Sequence, residues 1–134
     1  MLLLDTHAAL WLDNGDPLSA AAHQAIRQVA PAGGVLVSPV SAWEIGLLVG
    51  KGRIALDLEP IAWFQRFLRV AGIRLTPFTV EIAAGCSFLP EPFHGDPADR
   101  MLVATARERG VPLVTRDRRI LDYATSGAIS AIPC

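Results

Sequence analysis

Apolar and polar positions in this chain are grouped in blocks rather than alternating residue by residue. Short apolar runs, "LLL" (2–4), "VLV" (35–37), "IRLTPF" (73–78) and "VPLVT" (111–115), each precede a stretch in which apolar residues recur at helical spacing. A continuous apolar run of this length marks a strand buried on both faces, whereas strict alternation would leave one face in water. The spacing predicts helices from Ala8 to Leu12, from Asp16-Pro17 to about Ala30, from Ser38-Pro39 to about Val49, from about Glu59 to Ala71, from Thr79 to about Ser87 and from Asp96 to about Arg109. "NGDPLS" (14–19), "GKGRIALD" (50–57) and "LPEPFHG" (89–95) read as turns and loops, and "AISAI" (128–132) as a last edge strand. Buried strands alternating with helices predict a three-layer α/β/α sandwich with a short parallel sheet. With no internal repeat and no linker, one domain over residues 1–134 is expected.

Composition sharpens that picture by exclusion. At 51% hydrophobic, 19% charged and a mean hydropathy of +0.37, the chain is too apolar for a disordered segment. The apolar run 33–50 approaches membrane-span length, but Pro39 and Glu44 interrupt it, which fits a buried strand and a helix better than a span. "MLLLDTH" has no basic leader and meets Asp5 after three apolar residues, so no signal peptide and no membrane role are expected, and the cytoplasm is the expected location. Cys86 and Cys134 show no metal-ligand spacing. The net charge of -1 would argue against a general nucleic-acid binder, but six of the twelve basic residues fall between positions 100 and 119. That clustering makes either a solvated helix face or a phosphate-contacting edge.

The acidic residues supply the candidate chemistry. Asp5 directly follows the first strand and Asp117 lies just past the fourth, so both belong to the carboxyl edge of the sheet, where open α/β sheets place their ligand crevice. Either residue is equally well explained as a helix cap. Asp96, Pro97 and Asp99 make a capping-box-like helix start as well. Glu44 is harder to explain as structure. It is the only charged residue between Arg27 and Lys51, with Val40, Leu47 and Leu48 as its helical neighbours. A carboxylate in an apolar stripe needs a cation, which here is a remote arginine or a metal ion. If Asp5, Glu44, Asp96 or Asp99, and Asp117 share one crevice, their repulsion calls for a divalent cation, and oxygen ligands without His or Cys favour Mg²⁺ or Mn²⁺. Such ions suit phosphodiester hydrolysis. Asp96 can cap its helix while Asp99 faces the metal. Arg100 is expected to contact either phosphate or a neighbouring carboxylate, and Arg116 and Arg118 flank Asp117 as substrate contacts. His94 reads as a surface residue of a proline-rich loop, and Trp11, Trp43, Trp63 and Phe64 as core.

Taken together, "LLLDTHAALW" (2–11), "SPVSAWEIGLL" (38–48), "GDPADRMLVATA" (95–106) and "LVTRDRRI" (113–120) resemble the PIN-domain ribonucleases, and in particular the VapC-like toxins of toxin–antitoxin pairs. The resemblance spans essentially the whole chain. It implies a Mg²⁺- or Mn²⁺-dependent endoribonuclease with acidic ligands at Asp5, Glu44, Asp99 and Asp117, and Asp96 as a secondary ligand. It further implies supporting roles for Thr6 and Thr115, and no chemistry for His7. An RNA substrate, a small antitoxin covering the site, a homodimer, and contact with DNA only indirectly through the antitoxin are also implied. Gly95 departs from relatives that carry a basic residue there, which removes one phosphate contact. The alternative is a non-catalytic PIN-like module binding RNA or protein. A metal phosphatase or DNA nuclease with a similar acidic site is a third reading.

Overall fold

The computed structural model describes residues 1–90 and 92–134; Glu91, in the loop expected at 89–95, lies outside the described residues. Five strands, β1 (Leu2–Leu4), β2 (Val35–Val37), β3 (Ile73–Leu75), β4 (Leu113–Thr115) and β5 (Ala131–Pro133), form one sheet in the order β3-β2-β1-β4-β5. Every pairing is parallel, with Leu3 opposite Leu36 and Leu113, and Leu4 opposite Val114. Among the described residues seven α-helices cover it: α1 (Thr6–Asn14), α2 (Ala20–Val29), α3 (Pro39–Gly50), α4 (Pro60–Phe67), α5 (Val80–Gly85), α6 (Pro97–Arg109) and α7 (Arg118–Ala124). The expected three-layer sandwich is the observed fold.

The reason the strands read as unbroken apolar runs is visible in the two cores. Successive strand side chains point to opposite faces. Leu3, Leu36 and Leu113 pack with Val40, Ile82, Leu102 and Ile120 on one side. Leu2, Leu4, Val35, Val37 and Val114 pack with Ile45, Trp63 and Phe67 on the other. In β1 and β2 both faces are buried, so every position there is apolar.

Each strand-to-helix turn is fixed by a cap, and several caps differ from the sequence expectation. Asp5 accepts the amide of Ala8 at 2.7 Å, so α1 starts at Thr6 rather than Ala8. α2 starts at Ala20, capped by Ser19 through the Ala22 amide at 3.0 Å, rather than at Asp16-Pro17. α4 stops at Phe67, short of Ala71, and the strand expected over 73–78 ends at Leu75 before Pro77, which has no amide to donate. α7, not among the expected helices, is capped by Asp117 through the amides of Arg119 and Ile120. The last strand lies at 131–133, shifted from 128–132. Before β3, Gly72 has φ +89°, and a Cβ there would lie 2.7 Å from the carbonyl oxygen of Ala30. No helix among the described residues is long and apolar enough to cross a membrane.

The chain builds outward from β1 to β2 and β3, then returns to place β4 on the other side of β1. That reversal opens a crevice beyond the carboxyl ends of β1 and β4.

Candidate active site

Two hydroxyls organise the floor of this crevice. Thr115, at the end of β4, donates to Asp5 Oδ2 and accepts the Asp117 amide at 3.0 Å. The pairing of β1 with β4 therefore positions Asp5 and Asp117 through one side chain. Thr6, one residue past Asp5, donates to Glu44 Oε1 and lies 3.1 Å from the Ser41 hydroxyl, which ties α1 to α3. Asp99 enters from the first turn of α6, whose cap, Asp96, accepts the Asp99 amide at 3.0 Å. Asp5, Glu44, Asp96, Asp99 and Asp117 line a single open cleft of about 420 Å³ together with Thr6, His7, Trp11, Leu102 and Arg116. Four carboxylates expected from separate segments, and the fifth from the Asp96 cap, are thus brought together.

Their charges are poorly compensated. Asp5 is 7% exposed, and burial pushes its carboxyl above the ordinary value despite the hydrogen bonds from Thr115 and Ala8. Asp99 is pushed up to about 7, first by burial and then by the neighbouring charges of Asp96, Asp117, Glu44 and Asp5. Among the described residues, no arginine or lysine forms an ion pair with any of the five. Glu44 in particular meets a threonine hydroxyl and no remote arginine. Nor is it sealed in an apolar stripe: it is half-buried, and Trp43 and Leu47 beside it are 55% and 40% exposed. A set of close carboxylates without an arginine or lysine partner fits a hard divalent cation.

His94 belongs to the site, contrary to the sequence expectation of a surface residue. Its Nε2 lies 3.2 Å from Asp99 Oδ2 without hydrogen-bond alignment and is shielded from solvent, while Nδ1 accepts the Asp96 amide at 3.3 Å. His94, Asp99 and Asp117 each offer an atom within 4.8 Å of the others. Nothing in the local sequence marks this contact, which depends on how the segment before α6 meets Asp99.

The three arginines expected at the substrate divide. Arg116 lines the cleft. Arg100 does not: its guanidinium donates to the carbonyls of Cys86, Phe93 and His94 at 2.9–3.1 Å and lies over the Phe93 ring, so it ties the start of α6 to those segments. Arg118 is exposed at the start of α7, outside the residues that line the cleft. Trp11 and Trp43, expected in the core, are half-buried and exposed respectively, whereas Trp63 and Phe64 are core. A larger cavity, about 620 Å³, adjoins the cleft and shares His7 and Trp11 with it. There Arg66 pairs with Asp13 and Asp57, so two of its three acids are compensated, unlike those of the smaller cleft.

Comparison with known proteins agrees with this geometry. The model of the PIN domain matches residues 2–125. The chain is 40% identical over 124 residues to Ribonuclease VapC22 of Mycobacterium tuberculosis, covering 91% of each. Its fold is that of VapBC2 from Rickettsia felis, solved bound to a promoter DNA fragment, with a TM-score of 0.69 at 13% identity over 98% of this chain and 97% of that one. A DNA-bound VapBC structure from Salmonella typhimurium gives 0.66 at 17% identity, covering 99% and 98%.

Proposed function

The chain belongs to the PIN-domain family, and on that premise we propose that it is a metal-dependent endoribonuclease acting as the toxin of a toxin–antitoxin pair. The observation that carries the reading is the convergence of five carboxylates from the β1–α1 turn, α3, the start of α6 and the β4–α7 turn on one cleft, with no arginine or lysine ion pair among the described residues. Asp5, Glu44, Asp99 and Asp117 would hold Mg²⁺ or Mn²⁺, with Asp96 as the outer member because it is the exposed one of the five. Bound there, the ion would supply an activated water and compensate charge developing on an RNA phosphodiester.

The chain's own residues do the positioning. Thr115 and the Ala8 amide hold both oxygens of Asp5, and Thr6 holds Glu44, so the ligands are set before substrate arrives. Arg116 is the substrate contact at the cleft wall. Arg118 is an outlying substrate contact and Arg100 acts through the loop it braces.

Relatives of this fold were solved as VapBC complexes, some on DNA. By analogy a small antitoxin covers this cleft, and contact with DNA is indirect, through that partner. Trp43, Leu47 and Ile61 form an exposed apolar face on α3 and α4, at a groove of about 330 Å³, which supports a homodimer. Cytoplasmic RNA is the expected target.

Cleavage of a mixed RNA panel by purified protein, with Mg²⁺, with Mn²⁺ and with chelator, tests the proposal. Metal-dependent cutting that Asp5→Ala or Asp99→Asn abolishes is the expected result. Full activity in chelator or in either variant would refute it.

A further inference from the structure

His94 touches Asp99, yet the proposed chemistry gives it no task. Its place is fixed from several sides. Arg100 Nη1 donates to its carbonyl at 3.1 Å. The imidazole lies against the Phe93 ring with centroids 4.3 Å apart, and Phe93 in turn packs on Tyr123 at 4.6 Å. Nδ1 accepts the amide of Asp96 at 3.3 Å, and Arg119 Nη1 lies 3.5 Å from the same nitrogen. Nε2 is left facing Asp99 Oδ2 at 3.2 Å, shut off from solvent and with no aligned hydrogen bond among the described residues. An apolar side chain could pack on Phe93 without leaving a buried polar atom unsatisfied, so packing does not account for the imidazole.

Two roles are open to a histidine so placed. His94, Asp99 and Asp117 each offer an atom within 4.8 Å of the others, which is close enough to share a metal ion. The tautomer decides between ligand and support. A backbone amide and a guanidinium only donate, so Nδ1 has to accept and the ring proton belongs on Nε2. A nitrogen that carries its proton has no lone pair for a metal, but it can hold the carboxylate in front of it. Asp99 lacks any other such support. Asp5 accepts from Thr115 and the Ala8 amide, and Glu44 from Thr6, whereas among the described residues no hydroxyl or amide donates to the Asp99 carboxylate. In a free protein, bonds of this kind are often long or out of line and tighten once the site is loaded. We propose that His94 is the positioning residue of Asp99, its Nε2–H donating to Oδ2 so that the carboxylate meets the metal ion in a fixed orientation. This rests on the reading of the cleft as a metal site and adds a residue outside the ligand set.

Titration of the full chain with Mn²⁺, the free ion read by its EPR signal, tests the role. Loss of a side chain that orients a metal ligand costs about 10- to 100-fold in metal affinity, and His94→Ala should lose that much. Asn and Gln separate the two contacts of the ring. The side-chain amide of His94→Asn takes the place of Nδ1, which keeps an acceptor for the Asp96 amide but leaves nothing to reach Asp99, so affinity should fall as in His94→Ala. The amide nitrogen of His94→Gln takes the place of Nε2, and affinity should return toward wild type. Circular dichroism in chelator checks that each variant is folded; should His94→Ala fail to fold, the Asn and Gln pair decides. Equal Mn²⁺ affinity in wild type and His94→Asn, or His94→Gln binding no better than His94→Asn, would overturn the proposal. So would a nitrogen coupling on bound Mn²⁺ in pulsed EPR that disappears in His94→Asn, because His94 would then be a ligand. No Mn²⁺ binding by the wild type would overturn the metal site and this role with it, whereas wild-type binding that every variant shares sinks only the role of His94.

Discussion

Replacing Asp99 by Asn in metal-free protein should stabilise the fold, although it removes a carboxylate from the first turn of a helix. Asp99 titrates at about 7 in the folded chain against an ordinary 3.8, because burial and the charges of Asp96, Asp117, Glu44 and Asp5 all oppose its ionisation. At 1.36 kcal/mol for each tenfold change in proton affinity, forcing that charge costs at most about 4 kcal/mol. The cleft is open, and solvent screening leaves roughly 1–2 kcal/mol. Against this stands the favourable contact of a carboxylate with the helix N-terminus, about 0.5 kcal/mol. Asn should therefore gain about 1 kcal/mol, or roughly 3–6 °C in Tm for a domain of this size. The sign depends on pH. Between about 4 and 7 the folded state holds a proton that the unfolded chain has released, so wild-type stability falls as pH rises through that window. The advantage of Asn should be complete at pH 8 and absent near pH 3, where both states are protonated. Mn²⁺ should reverse the order, raising the Tm of the wild type and doing less for the variant. Thermal unfolding by circular dichroism in chelator at both pH values, then with Mn²⁺, provides the assay. An Asn variant that melts below wild type at pH 8 in chelator, or gains equally at both pH values, would refute the repulsion argument.

Other variants separate positioning from binding. Thr115→Val leaves an oxygen of buried Asp5 and the Asp117 amide without their partner, and should cost about 2–3 kcal/mol in urea unfolding and most of the cleavage rate, with Thr115→Ser retaining both. Arg100→Ala removes three bonds to loop carbonyls and the contact with Phe93, and should cost about 2–3 kcal/mol of stability. Weakened RNA affinity with unchanged stability would instead make Arg100 a phosphate contact. Gly72→Ala forces a Cβ to within 2.7 Å of the Ala30 carbonyl oxygen at positive φ, and should lower the urea midpoint by an amount corresponding to about 2 kcal/mol or more. Trp43→Glu should turn a dimer into a monomer in size-exclusion chromatography while leaving the cleft untouched; a variant that stays dimeric would place the interface elsewhere.

What the sequence made legible was the part in which one residue's type answers to one local demand. An unbroken "LLL" or "VLV" has both faces to bury, and the cores on either side of the sheet account for every position in them. Asp5, Asp96 and Asp117 are helix caps because short acids satisfy free amides, and the parallel register then carries Asp5 and Asp117 to one edge. What was not legible depends on which elements meet in space. Arg100 follows Asp99 in the chain, but a helix turns successive side chains by about 100°, so the neighbour of a ligand faces the loop rather than the cleft. His94 looked like a loop residue because nothing local shows that the segment before α6 folds back onto Asp99. Trp11 looked like core because aromatic residues at helical spacing usually are, and only the arrival of Arg116 from β4 gives its exposed face a role. The acids of the cleft could be found one segment at a time. Arg116 and Trp11 meet on the cleft wall from distant segments, so variation at either should alter RNA affinity while the five carboxylates and the fold stay in place.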